Sequence, residues 1–238
     1  MQNQQVTMEE NVVPRETDVN RTMPEMTLQQ RIDSYCKRTK FPRALFTGSF
    51  DDVFLSEGGG FIVGTWIMGN SYRVRSGYYG GYPDGYLKRI RALFPDKRNV
   101  LHLFSGKVDL VALPGATVDI NSDNNPDFVD DAQTLEKVPL EQFDLVLADP
   151  PYSIEDAERY RTSMVKRNLV MRALGQRLRS GAHVAWLDQV LPMFKKDQFD
   201  MIGVIGIVKS TNHRFRVCSI FCRRPYEHLN PCRNPQDQ

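Results

Sequence analysis

The stretch "DLVLADPPYS", residues 144–153, decides how the rest of the chain is read. Its apolar run, Leu145 to Ala148, is short and continuous, as in a strand buried on both faces, and it ends in a carboxylate, Asp149. Pro150 fixes its own φ and keeps Asp149 out of the helical region, and Pro151 does the same to Pro150. Neither proline carries an N–H. The product is a stiff shelf with two acceptors, the Asp149 carboxylate and the Pro150 carbonyl, beside the ring of Tyr152. Such a shelf suits an exocyclic amino group on a flat base: two acceptors take the two amino protons and the ring stacks. The other reading of the same residues is an Asp-Pro-Pro turn that caps the following helix.

Outward from this stretch the chain alternates between apolar runs and helical segments. "VLHLF" (100–104), "ATVDI" (116–120), "DFV" (127–129), "FDLVLA" (143–148) and "AHVAWLD" (182–188) read as strands. One long helix is expected from about Ile154 to Arg179, stopped by Ser180 and Gly181. "MIGVIGIVKS" (201–210) and "FRVCSIFCRR" (215–224) are two last strands around the polar turn "TNH". Strands separated by helices predict an α/β fold with a doubly wound, mostly parallel seven-stranded sheet. The tight final connection predicts an antiparallel edge hairpin, because parallel neighbours need a long crossover.

The N-terminal part reads differently. Residues 1–26 are polar and poor in aromatics, as in a disordered tail. Thr27 and Gln30 form a capping-box pattern opening a helix to about Lys40. β-rich runs on either side of Gly69-Asn70 predict a hairpin, so 27–75 is expected as a small extension of helix and hairpin. In "DGYLKRIRALFP" the residues Tyr86, Leu87, Ile90, Leu93 and Phe94 share one helical stripe, and Pro95 helps end it. The main domain is expected at 76–225 and a C-terminal tail at 226–238.

The 238 residues, 41% apolar, suffice for one good-sized core. A net charge of +2 gives no global sign of a polyanion binder. No apolar run reaches the roughly 18 residues of a membrane span, and the N-terminus lacks a basic-then-apolar leader, so an intracellular, cytoplasmic or nucleoid-associated protein without membrane contact is expected. Cys36, Cys218, Cys222 and Cys232 are expected as thiols. "CSIFCRRPYEHLNPC" admits a zinc site, but its spacing fits no familiar zinc module; buried strand thiols are the other reading, and no metal is expected. No His/Asp cluster with ligand spacing stands at the strand tips, which argues against a metal-dependent hydrolase.

In a doubly wound sheet the ligand lies outside the carboxyl ends of the strands. The first strand ends in "LFSGKVD", which is neither a P-loop nor G-x-G-x-x-G. Gly106 permits a tight turn or close approach of a ligand. Asp119, at the tip of the second strand, is placed to hold ribose hydroxyls, or to cap a helix in competition with Asn121 and Ser122. Asp131 follows the third strand, where its carboxylate can accept from an adenine amino group.

"DPPY" resembles the catalytic motif of S-adenosylmethionine-dependent amino-methyltransferases, especially those acting on N6 of adenine in DNA. "LHLFSG" is similar to their F-x-G-x-G cofactor loop, "VDIN" and "VDDA" to the ribose- and adenine-holding motifs, and "YYGGYPDGYLKRIRALFP" to the segment that touches the methionine end. The resemblance covers about residues 76–224. It implies a Rossmann-like fold, S-adenosylmethionine as cofactor and DNA, more than RNA, as partner. Asp149 and Pro150 would bind the target amine and Tyr152 would stack on it. Gly81, Tyr82, Phe104, Ser105, Gly106, Asp119, Ile120, Asp131 and Ala132 would line the cofactor. The sequence departs from the pattern at Val108, which stands in place of the second glycine, and in the short link containing Pro114-Gly115, which nearly removes a crossover helix. These departures favour a non-catalytic, nucleic-acid- or partner-binding member as one alternative. An RNA adenine or guanine amino-methyltransferase is another.

The acidic segment 117–149 suits a cationic sulfonium. Basic runs, "SYRVRS", "LKRIRALFPDKR", "ERYRTSMVKRNLVMRALGQRLRS" and "VKSTNHRFRVCSIFCRR", suit phosphates or an ordinary solvated face. Tyr72, Tyr78, Tyr79, Tyr82 and Tyr86 interleave with the first run and suit base stacking. Lys209, His213 and Arg214 are the candidate substrate contacts. A duplex base would have to flip out of the stack to reach the shelf. A homo-oligomer or an accessory subunit is compatible with this reading.

Overall fold

The structure, a computed structural model, describes residues 25–39, 45–49, 60–69, 81–159, 162–209 and 215–225. In chain order the elements are helix α1 (Leu28–Arg38), strands β1 (Leu45–Ser49) and β2 (Gly60–Met68), helix α2 (Tyr86–Leu93), and strands β3 (Val100–Leu103), β4 (Ala116–Asp119), β5 (Phe128–Val129) and β6 (Leu145–Ala148). Helices α3 (Ile154–Arg159) and α4 (Arg167–Arg177) follow, then strands β7 (His183–Asp188), β8 (Phe199–Lys209) and β9 (Phe215–Arg223). Short 3-10 turns at Ser122–Asn124 and Leu140–Gln142 flank β5.

All the described strands join one sheet in the order β1-β2-β8-β9-β7-β6-β3-β4-β5. The strands from β3 onward make the expected seven-stranded, mostly parallel sheet, with the antiparallel β8–β9 pair at its edge. The N-terminal strands lengthen it to nine: β2 pairs in parallel with β8 from Ile62 to Met68, and β1 pairs antiparallel with β2. Asn70 and the residues after it that would form the second arm of the expected Gly69-Asn70 hairpin lie outside the described residues.

Period-two alternation sorts side chains between two cores. Leu145, Leu147, Ala185 and Leu187 face α1 and α2 with Ile62, Trp66, Ile205 and Ile220. Val146, Ala148, Val184 and Trp186 face α4 with Val170, Met171 and Leu174. The α2 stripe is as expected: Tyr86, Leu87, Ile90, Leu93 and Phe94 are all buried. The α1 capping box also forms, with Thr27 and Gln30 bonding reciprocally. Tyr35 of α1 stacks on Trp66 of β2 at 5.8 Å, so the N-terminal elements share the core of the main sheet.

The helix expected over 154–179 is two helices. α3 ends where Thr162 N–H bonds back to the Ala157 carbonyl, and Lys166 N–H leaves the helical path to bond Gln133. Thr162 and Ser163 lie between them; hydroxyl residues favour caps and turns over helix interiors. The link from β3 to β4 holds no helix among the described residues. Asp109 organises it as a turn, accepting from Val111 N–H at 3.0 Å, and His102 pins it through Nε2 to the Leu113 carbonyl at 3.0 Å. Among the described residues no helix is long and apolar enough to cross a membrane.

Candidate active site

The order of the sheet reverses at β3, which has β4 on one side and β6 on the other. Such a reversal opens a crevice at the carboxyl ends of the strands. Asp149 ends β6 and Phe104, Ser105 and Gly106 follow β3, so the shelf and the expected cofactor loop straddle that crevice.

The shelf is built largely as its sequence dictates. Pro150 and Pro151 are buried and Asp149 is half-buried. Helix α3 is capped by Ser153, whose hydroxyl accepts from Asp156 N–H at 3.2 Å and whose carbonyl accepts from Ala157 N–H. The Asp149 carboxylate is therefore not spent on this cap; it accepts from the Tyr152 hydroxyl. Burial raises the Tyr152 hydroxyl well above its ordinary pKa, and the negative charge of Asp149 raises it further while Arg216 opposes. Tyr152 is thus a neutral donor at physiological pH.

The residues of the expected cofactor loop form a second tight unit. Phe104 and Gly106 both have positive φ, 55° and 50°. That geometry is easy for glycine and uncommon for phenylalanine. It is held by Asp119, whose Oδ2 accepts from Gly106 N–H and whose Oδ1 accepts from Asn121 N–H, each at 2.8 Å. Each Asp119 oxygen keeps a further lone pair. Ser105 is buried, and its Oγ has no hydrogen-bond partner among the described residues. Val108, where a second glycine was the pattern, packs against the core beneath α2.

Tyr82 approaches the shelf from the other side. Its ring stacks on Tyr86 at 5.2 Å and meets His102 edge-on. Its hydroxyl is buried without a partner among the described residues. Its pKa is raised well above the ordinary value, first by burial and then by the charge of Asp149. Gly81 is exposed, and a side chain there would meet nothing within 4 Å.

Along β4 and β5 the remaining expected residues follow in sequence. Ile120 is exposed beside Asp119, and Ala132 is buried. Asp131 is half-buried, with its carboxylate accepting from Gln133 N–H at 2.9 Å. Its neighbour Asp130 is the more buried acid and accepts from the N–H groups of Asp131 and Lys137. Lys209 ends β8 at the same edge, whereas His213 and Arg214 lie outside the described residues.

Several expected nucleic-acid contacts are used elsewhere. Tyr86 is fully buried and its hydroxyl pairs with Cys218 Sγ at 3.3 Å, so it is a core residue and not a stacking platform. Arg89 lies over the Trp66 ring and donates to the Ile67 carbonyl. Arg177 donates to the carbonyls of Leu135 and Val138. Tyr72, Tyr78 and Tyr79 lie outside the described residues.

Two features of the site were missed by sequence reasoning. Asp188, at the tip of β7, is fully buried and clamped by Arg167 at 2.6 and 3.1 Å, by Trp186 Nε1 at 3.1 Å and by Gln189 N–H at 2.7 Å. It is another acidic strand tip, and "WLD" carried the same signal as "LAD". Arg216 places its guanidinium 4.5 Å from the centre of the Tyr152 ring.

At the opposite edge Glu25, His183 and Cys222 bring ligand-type atoms within 4.8 Å of one another. Arg31 and Lys97 stand 3.5 and 3.4 Å from the same Glu25 oxygen, so that carboxylate is already neutralised by cations. His228 and Cys232 of the expected cysteine cluster lie outside the described residues. A cleft of about 540 Å³, lined by Arg98, Asn99, Gln142 and Arg179 among others, opens at this amino edge, away from the shelf.

No protein-family model matches the chain, and no curated protein matches it. Solved structures resemble parts of it. TrmN from Thermus thermophilus is 14% identical with a TM-score of 0.46, covering 60% of this chain and 49% of that one, so the chain spans about half of TrmN. A mutant of MtNAS in complex with S-adenosylmethionine is 13% identical with a TM-score of 0.40, over 58% of this chain and 60% of that one. The N-methyltransferase NodS from Bradyrhizobium japonicum WM9 is 13% identical with a TM-score of 0.37, over 60% and 98%. These are partial likenesses, and the chain itself is a Rossmann-like α/β sheet with a carboxylate shelf at its switch point.

Proposed function

We propose that this chain transfers a methyl group from S-adenosylmethionine to the exocyclic N6 amine of adenine in DNA. The observation that carries this reading is the shelf at the switch point: Asp149 at the end of β6, stiffened by two buried prolines, with the Tyr152 hydroxyl on its carboxylate and the cofactor-type loop on the adjacent strand β3.

The residues beside the shelf fit the cofactor's chemistry. Asp119 keeps acceptor capacity for a ribose diol after bonding Gly106 and Asn121. Ile120, exposed, offers apolar surface to an adenine ring, and the half-buried Asp131 follows β5. The buried Ser105 Oγ and Tyr82 hydroxyl, without a partner among the described residues, suit the polar amino-acid end, with Gly81 leaving room. Among the described residues Asp119, Asp130 and Asp131 accept from neutral N–H groups, so they keep a negative field that favours a cation. When bound, S-adenosylmethionine supplies an electrophilic methyl group on a positively charged sulfur.

The protein's contribution is mainly position. The Asp149 carboxylate and the Pro150 carbonyl accept the two amino protons of the target, which directs the nitrogen lone pair toward the crevice. Tyr152 offers its ring as a stacking surface. A fixed, near-attack geometry supplies a large part of a rate enhancement without a strong general base. A duplex adenine reaches the shelf only by flipping out, and nucleic acid is the partner on this reading.

The test is transfer of label from radiolabelled S-adenosylmethionine to unmethylated genomic DNA and, in parallel, to total RNA, followed by identification of the modified base. N6-methyladenine in DNA is expected, with a loss of roughly a hundredfold or more in Asp149→Ala. Label confined to RNA, or no label with cofactor binding retained, would overturn the assignment.

A further inference from the structure

We infer that Arg216 is a substrate-positioning residue that backs one face of the Tyr152 ring and so reserves the other face for the target base. The inference rests on the amino-methyl-transfer reading of the shelf and extends it to a residue on a different strand.

Arg216 lies with its backbone on β9, opposite Ile207 of β8 and one residue beyond the Asp188–Val217 pair that ends the β7 register. It is half-buried, and its Nε is fully shielded with no hydrogen-bond partner among the described residues. Asp188, one register step away opposite Val217, would be the natural counter-ion, but Arg167 already holds it through two bonds. Among the described residues no carboxylate lies within ion-pairing distance of Arg216.

What Arg216 does touch is the shelf: its guanidinium is 4.5 Å from the Tyr152 ring centre. A planar guanidinium stacks on an aromatic face where a lysine ammonium sits only as a point charge. An aromatic ring has two faces. With one covered by Arg216, a base stacks on the other, while the ring's hydroxyl stays on Asp149. The order of action runs from Arg216 to the Tyr152 plane, to the Asp149 carboxylate, to the target amine. The other arginines described around the sheet do not substitute. Arg167 and Arg224 pair with Asp188 and Asp200, and Arg177 and Arg223 bond main-chain carbonyls.

The test uses the full chain with radiolabelled S-adenosylmethionine and unmethylated genomic DNA, comparing wild type with Arg216→Ala, Arg216→Lys and Tyr152→Ala, and with the Arg216→Ala/Tyr152→Ala double variant. Thermal melts identify any variant that fails to fold; Arg216→Lys, which keeps the charge and stem, then stands in for Arg216→Ala. Arg216→Ala is expected to raise the KM for DNA about tenfold. The cofactor dissociation constant, read separately by equilibrium dialysis, stays within about twofold of wild type on the same reasoning. Arg216→Lys recovers part of the loss, and adding Arg216→Ala to Tyr152→Ala costs nothing further. An unchanged KM for DNA, an equal loss of cofactor binding, or additive effects in the double variant would overturn the role of Arg216 while leaving the methyl-transfer reading intact. A wild-type protein that transfers no label to nucleic acid would overturn both.

Discussion

The two edges of the sheet carry acids in equal earnest but treat them differently. At the amino edge the carboxylates meet cations: Asp96 is gripped by Arg31 at 2.7 and 3.1 Å, Glu25 lies between Arg31 and Lys97, and Asp144 bonds Arg179 as well as two main-chain N–H groups. At the carboxyl edge Asp119, Asp130 and Asp131 accept from neutral N–H groups, while Asp188 is clamped by Arg167. The amino edge is closed electrostatically and staples the N-terminal helix to the sheet. The carboxyl edge keeps charge and unused lone pairs beside one crevice. The difference teaches where the molecule invests in stability and where it holds chemistry in reserve.

The largest test of this contrast is at the amino edge. Arg31 is fully buried, and removing one partner of a buried pair is costly. Arg31→Ala is expected to lower unfolding free energy by about 3–5 kcal/mol in urea titrations. The KM for DNA of the remaining folded protein should stay at its wild-type value; a specific loss of substrate affinity would break the division of labour.

A second test is pH. Burial lowers the pKa of His102, beneath Tyr82, from 6.5 to about 4. The unfolded chain therefore takes up a proton near pH 6.5 that the fold refuses until about pH 4. Stability is full above pH 6.5 and declines as the pH falls through that window. Between pH 7.5 and 5 the loss is about 2 kcal/mol by linkage. His183 at the amino edge, also lowered by burial, acts in the same direction. Denaturant melts of His102→Gln should show a shallower pH dependence; an unaltered slope would refute the assignment to His102.

Smaller effects separate charge from shape at the shelf. Asp149→Asn retains an acceptor for Tyr152 but loses the charge, and a loss of about tenfold in methyl transfer is expected with an unchanged melting temperature. A melting-temperature shift as large as the activity loss would make Asp149 a structural residue. Smallest is the cap of α1: Thr27→Ala should cost about 1 kcal/mol of stability, measured by the same melts, with transfer to DNA unaffected.

Much of this was legible from particular residues. The run before Asp149 and the two prolines after it required a strand ending in a rigid acid-bearing turn, because φ restriction acts between neighbours. The stripe from Tyr86 to Phe94 and the Thr27–Gln30 box were likewise local, and both form. The break between α3 and α4 was less legible, since the basic, apolar-spaced run across it reads as one helix until Thr162 and Lys166 find other partners.

By itself, then, the sequence determined the strands of the main sheet, the acids that end β4, β6 and β7, and the stiffness of the shelf. These follow from sterics and periodicity within a few residues. Only the tertiary structure decided which cations would be consumed and which would reach the site. Arg167 meets Asp188 across 21 residues and Arg31 meets Asp96 across 65. Arg216 reaches Tyr152 because β9 inserts between β7 and β8. Such pairings depend on strand order in the folded sheet, and charge in a linear run does not encode it.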